Sequence, residues 1–364
     1  MQVPSIPYNY SYINPYFGES ANTVTKAGSG ETSDMYYTQM KQTCGDDFFD
    51  SYVQEIALSS LNPHIADIGA CTGDLMRNIR ANYPNIYTTN LDLTDAFAAA
   101  AQKEDEEAGL SSNTDYICAN ALSLPFEASS MNALFYSRVF HEIYSYESPE
   151  FNTGKFSEES IAKALKEAHR VLKPGGMVLI QDPAKPQNCF ELVTISNFSD
   201  KSTNISDEEL LKADVTKLKG EDLLRRFLLE FEPAKNNYKK LPKGYQMPKW
   251  LASEFIRHRR FNETKEHWAD EINEQYSPIT PKEYVDLAKS IGFEYAGSDV
   301  LFLPDEKNIY AYTNAFEVTD SQGNKMLQSK DFPLGMLLAL KKKQCITPTT
   351  FCGYLLPNNF NKVM

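Results

Sequence analysis

The sequence predicts an α/β fold in which strands and helices alternate to build a doubly wound, mostly parallel sheet. A short apolar strand at 65–68 runs through a glycine turn into a helix that begins near Leu75. A second strand, 85–92, ends in an acidic residue. Three further apolar runs alternate with helical segments, at 115–121, 133–137 and 177–181. In open sheets of this kind, ligands bind beyond the carboxyl ends of the strands.

The turn after the first strand indicates the kind of ligand. Tested against G-x-G-x-x-G, it has one glycine in three positions, with Asp74 where a pyrophosphate would need to approach. Tested against G-x-G-x-G, it keeps Gly69 and Gly73 around Cys71, and Asp67 stands two residues before the first glycine. Glycine allows close approach of the backbone to a ligand, and a carboxylate favours a cationic one.

The following segments add an acid, an amide and a turn in a fixed order. Asp92 lies 23 positions after Gly69, the spacing at which an acid accepts hydrogen bonds from ribose hydroxyls. Asn120-Ala121 precedes Leu122-Ser123-Leu124-Pro125-Phe126. A helix from Glu158 to Leu172 then runs into Lys173-Pro174-Gly175-Gly176, where Pro and Gly make a turn before the next strand.

Taken together, the segments over 65–182 resemble the motifs of class I S-adenosylmethionine (SAM) methyltransferases. The departures are Cys71 at the middle glycine and Asn120 where the family usually has Asp, although Asn still offers an acceptor oxygen. The resemblance implies a seven-stranded, Rossmann-like methyltransferase sheet, SAM as cofactor, S-adenosylhomocysteine (SAH) as product, and no metal. The cofactor-binding residues that it implies are Asp67, Gly69, Ala70, Gly73, Asp92, Leu93, Asn120, Ala121 and Ser137.

The chain is longer than such a core needs, and we predict five segments. Residues 1–45 are a tyrosine-rich arm and a candidate cofactor lid; 46–186 hold strands 1–5 of the core; 187–278 form a helical cap insertion. Residues 279–344 complete the core with strands 6 and 7, near 293–303 and 335–341, and 345–364 are a tail. Within the cap, 207–232 and 248–275 are predicted to be helical.

Composition limits the partners and the cellular compartment that the sequence predicts. The net charge is −13, which argues against nucleic-acid binding, and the mean hydropathy is −0.45 with no apolar run long enough to span a membrane. No signal peptide is visible and the six cysteines form no C-x-x-C pair, which favours a reduced, cytoplasmic protein. Export without a cleavable signal stays an open alternative, and the oligomeric state is not predicted.

Candidate acceptor and catalytic residues follow from position and charge. Methyl transfer needs alignment, and a general base only if the nucleophile must lose a proton. His141, after strand 4, is the candidate base, beside the candidate substrate residues Tyr136 and Arg138. Residues 235–265 carry a net charge of +7 against −20 for the rest, so Arg257 and Arg260 are candidate contacts for an anionic acceptor; the alternative is a solvated face. His258 and His267 lie nine apart and predict no metal site.

Four functions remain to be weighed. The first is a SAM-dependent methyltransferase with a small-molecule acceptor held between core and cap. The second is a methyltransferase of a protein side chain or carrier-bound substrate, and the third is a non-catalytic SAM-fold binding module. Retention of Asp67, Gly69, Gly73 and Asp92 argues against the third. The fourth, NAD-dependent oxidoreduction, is disfavoured by Asp74 and the missing glycines.

Overall fold

The structure is a computed structural model that describes residues 47–200, 202–301, 315–326, 331–333 and 335–344. The predicted N-terminal arm (1–45) and C-terminal tail (345–364) lie outside the described residues. None of the helices in the described ranges combines the length and the apolar character that crossing a bilayer requires.

A seven-stranded sheet forms the centre of the core, with the order β3-β2-β1-β4-β5-β11-β9. The first five strands are parallel, whereas β11 runs antiparallel to both of its neighbours. This confirms the predicted seven-stranded, doubly wound sheet. Its strands are β1 His64–Ile68, β2 Tyr87–Asp92, β3 Thr114–Cys118, β4 Met131–Ser137, β5 Leu172–Asp182, β9 Phe293–Leu301 and β11 Gly335–Lys342.

Both faces of the sheet are apolar because helices cover both. Alternate residues of β4 enter different cores: Leu134 and Tyr136 pack into one cluster, Ala133 and Phe135 into the other. This alternation follows from the period-2 geometry of a strand and explains why β4 is a nearly unbroken apolar run. The flanking helices are α1 Asp47–Ser59, α2 Asp74–Asn82, α3 Asp95–Glu107, α4 Phe140–Ser145, α5 Glu158–Val171 and α10 Pro281–Ile291.

A buried ion network fixes helices α2 and α3 against β3. The fully buried carboxylate of Asp105 pairs with Arg80 and with Arg77, whose Nε lies 2.7 Å from Asp105 Oδ1. The hydroxyl of Tyr116 donates to the second oxygen of Asp105 at 2.6 Å. Because each member is paired, the network stabilises the helix pair that follows the glycine turn.

The insertion between β5 and α10 is a mixed cap, so the predicted helical cap is wrong in one respect. The cap holds a four-stranded antiparallel sheet of order β10-β6-β8-β7, and the predicted helices are shorter and interrupted. The insertion supplies β6 Leu192–Ser196, β7 Lys239–Leu241 and β8 Gly244–Pro248, and β10 Glu317–Thr319 joins their sheet from a later part of the chain. Its helices are α6 Asp207–Lys212, α7 Gly220–Glu230, α8 Lys249–His258 and α9 Lys265–Glu271.

The cap has a hydrophobic core of its own and contacts the carboxyl edge of the main sheet. Phe227, Phe255 and Trp268 are buried within it. The cap meets the core at α4, where the backbone N–H of Gln275 donates to Ser145 Oγ at 2.8 Å. The cap therefore contacts the carboxyl edge of the sheet through α4.

Candidate functional site

A pocket lies beyond the carboxyl ends of β1, β2 and β4. The turn after β1 forms one wall through Gly69 and Cys71, and α4 with the loop that follows it forms the opposite wall. Between them lie the segments 92–94, 119–122 and 137–139. The pocket therefore occupies the place that doubly wound sheets use for ligands.

The glycine turn needs three residues with left-handed backbone geometry. Gly69, Cys71 and Gly73 have φ of 78°, 47° and 76°. A side chain is disfavoured in this region, so the middle position suits glycine, and Cys71 occupies it in the same conformation. The backbone N–H of Gly69 donates to the carbonyl of Leu91 at 2.8 Å, and that of Cys71 donates to Asp92 Oδ2 at 2.9 Å. The turn thus keeps the expected geometry despite its missing glycine.

A buried carboxylate, Asp67, and a half-buried one, Asp92, flank this turn. Asp92 lines the pocket at the end of β2. Burial raises its pKa to about 6, although backbone hydrogen bonds from Cys71 and Thr94 oppose the rise. Burial, followed by the negative charge of Asp92, raises the pKa of Asp67 to about 8. Among the described residues, Asp67 Oδ1 has no hydrogen-bond partner. A cation bound nearby would stabilise both carboxylates in their ionised form.

The third segment contributes an amide. Asn120 Oδ1 accepts from the backbone N–H of Leu122 at 2.9 Å, and its Nδ2 donates to Glu150 at 3.0 Å. These bonds fix the amide at the rim of the pocket, next to Leu93 and Ala121. The second lone pair of the Asn120 oxygen can still accept from a ligand.

Helix α4 faces two environments. Glu142 lines the pocket, and burial together with the negative charge of Glu274 holds its pKa well above the usual value. His141 is buried on the cap side, with Nδ1 2.7 Å from Asp182 Oδ1 and Nε2 3.5 Å from Glu274 Oε2. Burial alone would lower the pKa of His141, but the carboxylates of Asp182 and Glu274 raise it to about 10. Tyr276 stacks on the imidazole, with ring centroids 5.0 Å apart.

Comparison with known proteins finds a family match over part of the core. Residues 66–180 match the sequence family described as "Methyltransferase domain". Over these residues the core resembles a methyltransferase domain. A demethylmenaquinone methyltransferase of Thermus thermophilus is 29% identical over 140 residues, 38% of this chain and 56% of that protein. A ubiquinone/menaquinone biosynthesis C-methyltransferase of Allorhizobium ampelinum is 30% identical over 141 residues, 37% of this chain and 49% of its own.

The sequence matches cover only part of each curated relative. The chain spans about half the length of the curated relatives it matches. A solved SAM-dependent methyltransferase of Methanosarcina mazei aligns with 83% of this chain and all of its own at a TM-score of 0.45 and 16% identity. The matched family segment ends within β5, before the cap begins.

Most of the cofactor residues predicted for the methyltransferase domain lie around one pocket. The predicted cofactor residues that line it are Gly69, Asp92, Leu93, Asn120, Ala121 and Ser137. Asp67, Ala70 and Gly73 are not among the lining residues. Gly73 instead precedes α2, and its N–H donates to the carbonyl of Ala70 at 2.8 Å. A Cβ on Gly73 would lie 3.1 Å from both Ala101 and Asn90, so this glycine allows close packing behind the turn.

Tyr136, near the end of strand β4, and Arg138, just after it, lie in different places. Arg138 lines the pocket with φ of 60°, and its backbone N–H donates to the carbonyl of Gln181 at 2.6 Å. The prediction that Tyr136 binds substrate is wrong. Its ring is fully buried and packs against Phe140 with centroids 4.7 Å apart, because strand alternation directs it to the α5 and α10 face of the sheet.

Neither arginine predicted to bind an anionic acceptor lines the pocket. Arg257 is buried, and its Nη2 donates to the carbonyls of Ala184 at 3.3 Å and Pro333 at 2.5 Å. Burial lowers the pKa of Arg257. Arg260 is half-buried and does not line the pocket. The prediction for Arg257 is wrong because its side chain is buried. Its guanidinium binds backbone carbonyls at the joint between cap and core instead.

Glu274 is the residue near the site that the sequence analysis missed. It lies 133 positions after His141 and comes to it only through the return of the cap onto α4. The hydroxyl of Tyr146 donates to Glu274 Oε1 at 2.9 Å. His258, in contrast, bonds backbone carbonyls of Glu254 and Glu271 at 2.8 and 3.0 Å, and is a structural residue of the cap.

Proposed function

We propose that this protein is a SAM-dependent methyltransferase that acts on a small-molecule acceptor. The observation that carries the proposal is the position of the Asp92 carboxylate at the end of β2. It accepts a hydrogen bond from the backbone N–H of Cys71 in the glycine turn, and it lines the pocket. A carboxylate there accepts from ribose hydroxyls. Leu93 and Asn120 then flank the adenine, and the methionine part extends past Gly69 toward Ser137.

The electrostatics of the pocket favour SAM over a dinucleotide. Asp67 and Asp92 both have raised pKa values, so a cationic sulfonium and ammonium relieve the cost of ionising them. A pyrophosphate at the same turn would bring further negative charge beside these carboxylates. NAD-dependent oxidoreduction is therefore not favoured.

The acceptor is proposed to lie between the cofactor and the cap side of the pocket. The lining residues there are Glu142, Ile143, Tyr146 and Glu147, a small mixed surface enclosed by α4 and the loop that follows. The relatives named as quinone methyltransferases support a small-molecule acceptor. A protein or carrier-bound acceptor remains the second candidate, and a basic docking face loses support because Arg257 is buried.

General-base catalysis by His141 stays a prediction. Both ring nitrogens of His141 face carboxylates, and its raised pKa means that it already carries a proton at neutral pH. Transfer from an activated sulfonium needs mainly alignment of the acceptor with the methyl group. We therefore assign the catalytic contribution of the pocket to proximity and orientation.

The test is a calorimetric titration with SAH and with NAD. We expect SAH to bind and NAD not to bind. Asp92→Asn keeps an oxygen for the Cys71 N–H but loses the charge, so SAH affinity should fall by about 10-fold or more, as charge-assisted bonds are worth about 1.5–3 kcal/mol each. Asp115→Asn, at an exposed position on β3, is the matched control and should bind as the wild type does. Binding of NAD in place of SAH would contradict the proposal, and labelled SAM with an acceptor screen then tests turnover.

A further inference from the structure

Three possible metal-ligand side chains, two of them buried and one half-buried, lie beside the proposed pocket at the joint between core and cap. They are His141 and Glu142 from α4 and Glu274 from the segment after α9. One ligand atom from each residue lies within 4.8 Å of those from the other two. His141 is 1% exposed, and Glu274 is fully buried.

Two atoms of this set point at one another without forming a hydrogen bond. His141 Nε2 and Glu274 Oε2 have no hydrogen-bond partner among the described residues, and they are 3.5 Å apart. A charge-assisted N–H···O bond would be about 2.7–2.9 Å long. The two atoms therefore form a long ion pair rather than a hydrogen bond, and a further group between them would satisfy both.

We propose that His141 Nε2 and the carboxylates of Glu142 and Glu274 bind a divalent metal ion of the Zn²⁺ or Mn²⁺ class. One imidazole with two carboxylates suits these borderline ions better than Mg²⁺, which prefers oxygen ligands alone. The 3.5 Å separation also fits an ion between the two atoms. With both bonds at about 2.1 Å it corresponds to an angle of about 113°, near the tetrahedral value.

The neighbouring groups hold the ligands as a metal site requires. Asp182 accepts from the backbone N–H of His141 at 3.0 Å and pairs with its Nδ1 at 2.7 Å. A metal-binding histidine commonly uses its other ring nitrogen in this way, which directs Nε2 toward the ion. Tyr146 fixes the second oxygen of Glu274. Ligand orientation is thus set from both the core and the cap.

The charges around the three ligands also favour a bound cation. Glu142 experiences the negative charges of Glu274, Asp92 and Asp182, with His141 as the opposing charge. A divalent ion in place of the Nε2 proton would offset these carboxylates more completely. Because Glu142 also lines the pocket, the ion would lie next to the acceptor and could bind an oxygen of it.

The experiment uses the full chain after treatment with a chelator and dialysis. Zn²⁺, Mn²⁺ and Mg²⁺ are titrated separately by calorimetry, and the retained metal is counted by elemental analysis. We expect one Zn²⁺ or Mn²⁺ per chain, bound at least 30-fold more tightly than Mg²⁺. Glu274→Gln and His141→Asn should each lower that affinity at least 30-fold, and Asp182→Asn by about 10–100-fold, the usual effect of losing an orienting carboxylate.

Two controls separate this site from other causes. His64→Asn removes an imidazole that bonds Thr89 in the core, and Glu271→Gln alters a buried cap acid beside His267; both should bind metal as the wild type does. If a ligand variant fails to fold, the absorption spectrum of the Co²⁺ form of the wild type reports nitrogen and oxygen ligation directly. SAH affinity in Glu274→Gln should be unchanged, so loss of the metal site and failure of the proposed cofactor assignment give different results.

The proposal is overturned if the wild type retains no ion above background, if Mg²⁺ binds as tightly as Zn²⁺ and Mn²⁺, or if Glu274→Gln binds metal like the wild type. In each case a proton on His141 Nε2 is the counter-charge of the cluster, and the group is an ion triad that joins the cap to α4.

Discussion

Gly69→Ala tests how tightly the turn after β1 packs against the segment after β4. Gly69 has φ of 78°, and an added Cβ would lie 2.8 Å from Val139 Cγ2 and 3.1 Å from Val139 Cβ. The left-handed backbone costs an L-residue about 1–2 kcal/mol. Overpacking against a branched side chain adds about 1–3 kcal/mol. We therefore expect the free energy of unfolding, measured in urea, to fall by about 2–5 kcal/mol.

Gly109→Ala is the matched control for the backbone term. Gly109 has φ of 70°, and its added Cβ would have no neighbour within 4 Å, so only the cost of about 1–2 kcal/mol applies. A cycle with Val139→Ala isolates the closest contact, because that substitution removes Cγ2 at 2.8 Å and leaves only Cβ at 3.1 Å. The reasoning is refuted if Gly69→Ala costs no more than Gly109→Ala, or if Gly69→Ala and Val139→Ala are additive.

The same substitution should weaken the ligand. Val139 and Arg138 line the pocket, so moving Val139 away from the turn displaces a wall of the site. We expect SAH affinity to fall at least about 10-fold, equivalent to about 1.4 kcal/mol, in Gly69→Ala and to be unchanged in Gly109→Ala. Equal SAH affinities in the two variants would show that packing between the turn and Val139 does not affect binding in the pocket.

Four further outcomes follow from buried charges. SAH affinity should fall between pH 7.5 and pH 5, as Asp92 with a pKa of about 6 takes up a proton, and calorimetry of Asp92→Asn should show a flat profile. The raised pKa of Asp67, about 8, means that the folded chain holds this proton more tightly than the unfolded chain, so its stabilising effect is present below about pH 4 and lost as the pH rises to about 8. By calorimetric unfolding, Asp67→Asn should therefore raise the Tm of the ligand-free protein at pH 8.5 and not at pH 4. Arg257→Met should cost about 1–3 kcal/mol in urea unfolding through two unsatisfied carbonyls, with SAH affinity kept. Asp105→Asn should cost about 3–5 kcal/mol by the same measurement, because it leaves two arginines without their buried partner.

Local signals in the sequence were sufficient for the core. The strand at 65–68, the glycine turn and Asp92 each have a pattern that needs only near neighbours in sequence, and the parallel order of β1 to β5 follows from their alternation with helices. Cys71 replaces the middle glycine of the G-x-G-x-G pattern without changing the turn. The position requires a left-handed backbone, and a residue other than glycine can adopt that conformation at an energetic cost.

The cap could not be predicted as well, for two physical reasons. Its strands are only three to five residues long, so β7 and β10 leave too little alternation to compete with neighbouring helical patterns. In addition, the net charge of a segment does not show which of its charged side chains are buried. Arg257 carries the same charge on a surface or in an interior, and only the tertiary contacts with Ala184 and Pro333 separate the two cases. The proximity of Glu274 to His141 likewise arises from tertiary packing alone.

Strand β10 has a consequence for how the chain assembles. It is placed between β9 and β11 in the sequence, yet Glu317–Thr319 pairs with β6 of the cap, and Phe316 and Val318 belong to the cap's hydrophobic cluster. The two modules are therefore interleaved along the chain, and neither is synthesised in one piece. Excising 187–278 would strip β10 of its partner and expose two apolar side chains. A truncation that spares the core thus has to remove 315–326 as well, and the cap completes its sheet only after β9 has emerged from the ribosome.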